Sequence, residues 1–336
     1  MNAGDELIDR YVAFLVDNMG RSDSTGVKYG GYLRRLVVFL VPREGDLLTV
    51  DIDLLEEFTG IFLIRAGLTP AGRKPVITCM RSFFKWALRA NIRPDNPALL
   101  LMLPKVPPHY PSVMQLRDAE RLLRQPDLNT LQGVRDAAMI ATLIGCGFRL
   151  NGMLGLNESS LIFTNDENGR EVLLIRVMEK GKKERVVPAP DETRLLIRAY
   201  LGHPDLAEVI RDLDNGDKVL FVSFNNMCIA PHRYYGEERR MKASSTDRMI
   251  KKYGKMCDID PKVVHAHSFR HLYATELVEA DVSVLHMKAL LGHSKTDTLD
   301  IYNHTALRKL TKESQRGNPL GKINTPVSQL LKELNK

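Results

Sequence analysis

The chain has 336 residues, room for two domains of ordinary size, of which 44% are hydrophobic and 26% charged. Forty-eight Lys and Arg against 41 Asp and Glu leave a net charge of +7, a balance that speaks of partners rather than fold and puts nucleic acid first among them. The longest apolar runs, such as residues 36–41, are too short to span a bilayer, and Cys79, Cys146, Cys228 and Cys257 show neither CxxC nor metal-ligand spacing.

Those cysteines read as reduced, mostly buried thiols. The opening MNAGDELIDR is acidic and carries no apolar signal core. Both features predict a cytoplasmic protein.

In chain order, residues 6–16 place Leu7, Ile8, Tyr11, Phe14 and Leu15 at helical spacing. Ser22, Asp23 and Ser24 offer an N-cap for a second helix through Tyr29, Leu33, Leu36 and Phe39, ended by Pro42 and Gly45. Val50 and Asp51 open a third helix over 54–66. Thr69-Pro70 caps a fourth, containing Val76, Met80, Phe83, Phe84, Trp86 and Ala87, with Trp86 expected in the core. Asn96-Pro97 closes the unit. No stretch of 1–103 reads as a strand, so a four- or five-helix module is expected. Basic residues gather on two of its helices: Lys28, Arg34 and Arg35 on one, Arg73, Lys74, Arg81 and Lys85 on the other. Solvated polar faces account for them, and so does phosphate contact along a duplex.

Residues 104–115, PKVPPHYPSVMQ, hold four prolines and mark an extended, stiff linker. Its Lys105 and His109 suit a DNA backbone or a plain spacer equally. Helices over 116–123 and 131–144 follow, and Gly145 and Gly147 are expected to break the chain before Arg149. Residues 160–188 carry the β signal: 161–163, the turn 165–169, then 172–177 and 184–188, the last two joined by a hairpin tip at Glu179-Lys180-Gly181-Lys182-Lys183. Helices resume from Asp191, with a polar loop carrying a short helix over 204–217, and are expected at 244–253, 268–278, 284–291 and 298–302. A last apolar stripe, Val327, Leu330, Leu331 and Leu334, needs a covering surface in its own domain or a neighbouring subunit.

The chemistry concentrates in His267-Ser268-Phe269-Arg270-His271. Residues three and four apart share a helix face, so His267, Arg270 and His271 point toward one ligand. Two imidazoles and a guanidinium suit an anion, phosphate above all. Cleaving a phosphodiester without hydrolysis needs a nucleophile, cations on the non-bridging oxygens, a base, an acid for the leaving oxygen, and exclusion of water. Arg149 and Arg270 can grip the oxygens. His267 and His293 can donate hydrogen bonds or move protons, and Lys180 on the hairpin tip can serve as the acid, with Lys183 its rival. Tyr302 brings a phenol whose ordinary pKa is about 10 and which nearby arginines would lower. Tyr273 stands six residues past His267, about 240° round the helix, and belongs in the core. For His271 a core hydrogen bond and a phosphate contact both fit; His265 and His286 suit surface or structural roles.

At this point the sequence resembles the tyrosine recombinases of the phage-integrase type, including the Xer recombinases. Gly147-Phe148-Arg149-Leu150 looks like the box around the family's first arginine. Lys180-Gly181-Lys182-Lys183-Glu184-Arg185-Val186-Val187-Pro188 resembles its lysine hairpin. His267-Ser268-Phe269-Arg270-His271 with Ala274-Thr275, Leu290-Leu291-Gly292-His293-Ser294 and Ile301-Tyr302 follow in the family's order. Arg81-Ser82-Phe83-Phe84-Lys85-Trp86 and Asp95-Asn96-Pro97 are similar to its N-terminal domain. One position departs: the family usually has Glu or Asp three residues after the first arginine, supporting an active-site histidine, and here stands Gly152, with Asn151 beside it as a partial substitute.

The resemblance implies a mainly α protein with a small β-sheet, built as a two-domain C-shaped clamp on double-stranded DNA. A SAM-like helical core-binding domain would occupy 1–103, the linker 104–115, the catalytic domain 116–310, and a tail with a possible subunit-swapping helix 311–336. It implies a site-specific DNA recombinase in which Tyr302 forms a 3′-phosphotyrosyl link and a 5′-hydroxyl from the partner duplex resolves it, with no ATP, metal or other cofactor. Arg149, Lys180, His267, Arg270, His293 and Tyr302 would be catalytic; Lys28, Arg34, Arg35, Arg73, Lys74, Arg81 and Lys85 would contact DNA. A homotetramer on synapsed sites, a monomer or dimer when free, and a place in the cytoplasm on the nucleoid follow from the same analogy, and the lack of a separate arm-binding domain favours a simple, Xer-like enzyme. The rival readings are a type IB topoisomerase-like enzyme that relaxes DNA without pairing sites, and a catalytically silent DNA-binding relative.

Overall fold

The structure, a computed structural model, describes residues 3–107, 114–179, 183–224, 226, 229–292 and 311–334. The chain divides into two compact units, Met1–Tyr110 and Pro111–Lys336. Among the described residues no helix is long and apolar enough to cross a membrane.

Among the described residues the regular elements of the first unit are all helical, and include α1 (Ala3–Ala13), α2 (Asp23–Leu40), α3 (Ile52–Glu57), α4 (Leu63–Arg65) and α5 (Pro70–Arg89). Local chemistry sets their starts. Asp51 accepts from the Leu54 N–H at 2.9 Å, and Thr69 from the Gly72 N–H at 3.2 Å, so each cap satisfies an amide that has no intrahelical partner. The helix expected over 54–66 is interrupted by a wider, π-helical turn at Phe58–Phe62. Thr59 and Gly60 are poor helix formers, and the Thr59 hydroxyl bonds back to the Leu55 carbonyl at 2.8 Å. With this turn Phe58 and Phe62 both lie against Phe39, with ring centroids 5.3 and 5.0 Å away. Tyr11, Phe83 and Phe84 are fully buried in the same core, and Tyr11 donates to Ser82 Oγ at 2.7 Å. Trp86 departs from expectation. It packs against Tyr11, Phe14 and Phe83 but remains partly exposed at the rim of that core.

The second unit begins with α6 (Leu116–Leu123), α7 (Leu131–Cys146) and α8 (Leu150–Leu154). A three-stranded antiparallel sheet follows in the order β1 (Leu161–Asn165), β2 (Glu171–Glu179), β3 (Lys183–Ala189). Then come α9 (Asp191–Leu201), α10 (Pro204–Ala207), α11 (Ala243–Met256), α12 (Ala266–Glu279), α13 (Val284–Leu291), helical residues 311–316 and a C-terminal helix (Pro326–Leu334). Helix α7 is buried along nearly its whole length and forms the centre of the unit, packed by α9, α12 and β3. Gly145 does not break it, contrary to the sequence reading. It lies inside the helix, where a Cβ would meet Leu320 Cδ1 and Pro190 Cγ at 2.7 Å, so glycine is needed for close approach. The β2 side chains Leu173, Ile175 and Val177 face the core, in register with Ala189, Val187 and Arg185 of β3.

The C-terminal helix packs on α9 of its own unit. Val327 meets the core while Leu330 stays 51% exposed, so the expected apolar stripe is only partly covered. At the junction Thr325 donates to Glu192 Oε1, and Glu192 Oε2 is buried with no hydrogen-bond partner. A cavity of about 60 Å³, lined by Glu192, Leu196, Thr325 and Val327 among others, adjoins it. Burial pushes the Glu192 carboxyl up to about 7, the Thr325 bond working the other way. Cys79, Cys146 and Cys257 are buried free thiols; Cys228 lies outside the described residues.

Candidate active site

Helix α7 ends at Gly147, which sits at φ +58. A Cβ there would lie 2.3 Å from Tyr273 Cδ1, so both the left-handed turn and the close contact demand glycine. The turn sends Phe148 into the core and leaves Arg149, half-buried, at the head of α8.

The other wall is α12. His265 caps it, its Nδ1 accepting from the Ser268 N–H at 3.2 Å, which gives this histidine the structural role foreseen for it. His267 is exposed and meets His271 edge to face, centroids 4.4 Å apart, as their i, i+4 spacing requires. Arg270 turns inward and is 6% exposed. Its Nη1 donates to the Gly147 carbonyl at 2.7 Å and its Nη2 to the Leu291 carbonyl. Tyr273 is fully buried, hydrogen-bonded with Ser314 Oγ at 3.1 Å, and desolvation drives its phenol far above the ordinary range. It is a core residue, as its angle on the helix predicted.

The imidazole of His267 is held below its usual pKa of 6.5. Loss of water from the packed part of the ring is the first cause, and the charges of His271, Arg270, His265 and Arg149 follow. Part of the side chain stays open to solvent, so the field of this cationic cluster is partly screened. Arg149, Arg270, His265 and His271 thus all act on His267, and together with desolvation they disfavour its charged form.

Helix α13 forms the third wall. Ser283 caps its start, accepting from the His286 N–H at 3.3 Å, and Gly292 at φ +64 ends it. Lys180, His293 and Tyr302, and the helix expected at 298–302, lie outside the described residues. Gly152 faces β2: a Cβ there would stand 3.1 Å from Val177 Cγ2, so the position usually taken by a carboxylate is closely flanked by the sheet, and Asn151 is exposed.

The basic residues of the first unit divide. Arg34 is engaged by Asp9 at 2.6 Å and Asp5 at 3.5 Å; Arg73 donates to the Thr59 carbonyl at 3.2 Å, and Arg81 to the Leu101 carbonyl. Arg35 leans over the Phe62 ring at 5.9 Å. Lys28, Lys74 and Lys85 are exposed. Two residues of the second unit escaped the sequence reading. One is Arg185, buried at 6% on β3; its signal was the strand period, which puts it on the same face as Val187. The other is Glu192, whose burial no local pattern announced. Among the described residues no cluster of His, Cys, Asp and Glu could hold a metal ion.

Residues 112–308 match the phage integrase family. The chain belongs to that family, the tyrosine recombinases. The recombinase is 29% identical to tyrosine recombinase XerD of Proteus mirabilis over 321 residues, 94% of each chain. It is 28% identical to XerC of Myxococcus xanthus over 315 residues, covering 93% of this chain and 97% of the relative. Its fold matches XerH bound to difH in a pre-cleavage complex with TM-score 0.60 and 17% identity, over 92% of this chain and 84% of that one. It also matches lambda integrase bound to a COC′ core site, with TM-score 0.61 and 13% identity, over 87% and 96%. The recombinase is Xer-like, a DNA-cleaving and rejoining enzyme of site-specific recombination. The mainly helical fold with one small sheet is the expected one.

Proposed function

We propose that Tyr302 is the nucleophile of strand exchange. Its phenolate oxygen attacks the scissile phosphorus and expels the 5′-oxygen, which takes a proton from Lys180. The 3′-phosphotyrosyl ester keeps the bond energy, and a 5′-hydroxyl from the partner duplex attacks it to release the phenol. Arg149 and Arg270 neutralise the charge on the non-bridging oxygens, while His267 and His293 hydrogen-bond the phosphate or take the phenol proton. The observation that carries this reading is Arg270, whose guanidinium ties the turn before Arg149 to the end of α13, one residue before Gly292-His293. A neutral His267 amid that cationic cluster supports it, because a neutral imidazole can accept a proton.

The first unit is read as a core-binding domain that meets the backbone of the same duplex. Lys74, Arg81 and Lys85 fall on one line of α5 at i, i+7 and i+11, and Lys28 and Arg35 are seven apart on α2. Arg34, Arg73 and Arg81 have intramolecular partners as well and contribute less. Exchange between two duplexes calls for four protomers, assembled on synapsed sites from free monomers or dimers. The C-terminal helix, with Leu330 left exposed, is the segment proposed to link them.

A nicked suicide duplex that traps the covalent intermediate tests the mechanism. The wild-type protein is expected to form a phosphotyrosyl adduct with a 3′ end, and Tyr302→Phe to bind the duplex without forming it. An adduct that persists in Tyr302→Phe overturns the assignment, and relaxation of plain plasmid without pairing of sites overturns the recombination step.

A further inference from the structure

We infer that Arg185 is a positioning residue of the recombination site, acting through the last turn of α13 and through Phe148. The inference rests on the assignment of Arg149, His293 and Tyr302 above, and adds a residue that carries their alignment.

The strand period places Arg185 on the buried face of β3, opposite Val177 of β2. It is only 6% exposed, and a guanidinium taken out of water must find acceptors. Its Nη1 donates to the carbonyl of Leu290. The next carbonyl, that of Leu291, takes Nη2 of Arg270. Both lie at the C-terminal end of α13, where carbonyls lack intrahelical donors and the helix dipole is negative. Two guanidiniums therefore hold two consecutive carbonyls, just before the left-handed Gly292, which precedes His293 in the sequence.

The same guanidinium packs 5.2 Å from the centroid of the Phe148 ring. Phe148 is fully buried and immediately precedes Arg149. Arg185 thus touches both the chain that delivers Arg149 and the helix that leads to the nucleophile, from a strand leading out of the Lys180 hairpin. Charge on the fixed guanidinium also lowers the cost of ionising Cys146 and Tyr273, which marks how close it lies to the heart of the unit. The donor at Nη1 goes to backbone rather than to solvent, so its effect on the reaction comes through the geometry it enforces. A misplacement of about 1 Å among reacting groups is enough for a loss of about 100-fold.

The test uses full-length Arg185→Met and Arg185→Lys. Three quantities are read: affinity for a single recombination site, the single-turnover cleavage rate on a nicked suicide duplex at saturating protein, and the urea midpoint. Arg185→Met is expected to bind within about threefold of wild type while its saturated cleavage rate falls about 10- to 100-fold. Arg185→Lys, which keeps one donor for Leu290, is expected to recover most of that rate. Should both variants cleave at the wild-type rate when saturated, Arg185 is a core residue and the inference fails. It also fails if the loss lies in affinity alone, or if Leu196→Ala, a core substitution on α9 destabilised to the same urea midpoint, loses as much cleavage while Arg185→Lys recovers none. The wild-type adduct and its absence in Tyr302→Phe report separately on the nucleophile assignment.

Discussion

Arg270 of α12 donates to the carbonyl of Gly147 at 2.7 Å, across 123 residues of sequence, and to the carbonyl of Leu291 at the other end of the site. One side chain thereby closes a ring of three segments that the sequence leaves far apart. The guanidinium orients the site and belongs to it. Removing it strips two buried carbonyls of their donors and takes away the cation proposed to meet the phosphate. Arg270→Met is expected to lower stability by about 2–4 kcal/mol in urea denaturation and to abolish the phosphotyrosyl adduct. A stable variant that still forms the adduct would contradict both roles.

Gly147 tests the same turn from its backbone side. An alanine there must hold φ near +58 and place its Cβ against the Tyr273 ring. Left-handed backbone costs a non-glycine residue about 1–2 kcal/mol and overpacking adds about as much, so Gly147→Ala is expected to destabilise by about 3 kcal/mol. Chemical denaturation measures it; a change under about 1 kcal/mol would mean that the turn tolerates side chains.

His267 has a testable protonation state. Its folded pKa lies below 6.5, so the unfolded chain takes the proton first as the pH falls, and the fold loses stability below that value rather than above it. In ring-proton NMR of the free protein His267 is expected to titrate below 6.5, and on binding a duplex with a phosphate in the site it is expected to titrate higher. A free-protein value above 6.5 would remove the proton-accepting role proposed for it.

Glu192 has the opposite sign. Burial raises its carboxyl from 4.5 to about 7. Its protonated form is favoured in the fold, so stability is fully present below pH 4.5 and is lost as pH rises toward 7. Glu192→Gln removes the ionisation while keeping an acceptor for Thr325. Relative to wild type it is expected to gain up to about 3 kcal/mol at pH 8 and almost nothing at pH 4. Urea denaturation at the two pH values checks this, and equal differences at both would show that Glu192 does not titrate in that window.

Much of this protein was legible in its residues, because much of it rests on local physics. Apolar spacing announced α2, α5, α6 and α7; Asp51 and Thr69 announced where helices start; alternation from 161 to 188 announced the sheet. Two local features of the candidate site were legible for a related reason: His267 and His271 share a helix face by period alone, and a glycine before Arg149 is a local demand of the left-handed turn. Trp86 and Gly145 were misjudged because neighbours distant in sequence decide them. Trp86 reaches the rim of its core, and Gly145 sits where Leu320 and Pro190 come too close for a Cβ. Period could place Arg270 beside His267, but it could not say that Arg270 holds the carbonyls of Gly147 and Leu291. Nor could it say that Arg185 grips the adjacent carbonyl, or that Glu192 lies under the C-terminal segment. The sequence by itself determined the elements and the chemical inventory, since short-range sterics and hydrogen bonding act over a few residues. Tertiary structure alone decided which charges are buried and what they hold, because burial and hydrogen-bond partners are set by separate segments, from 21 to 133 residues apart for Arg270, Arg185 and Glu192.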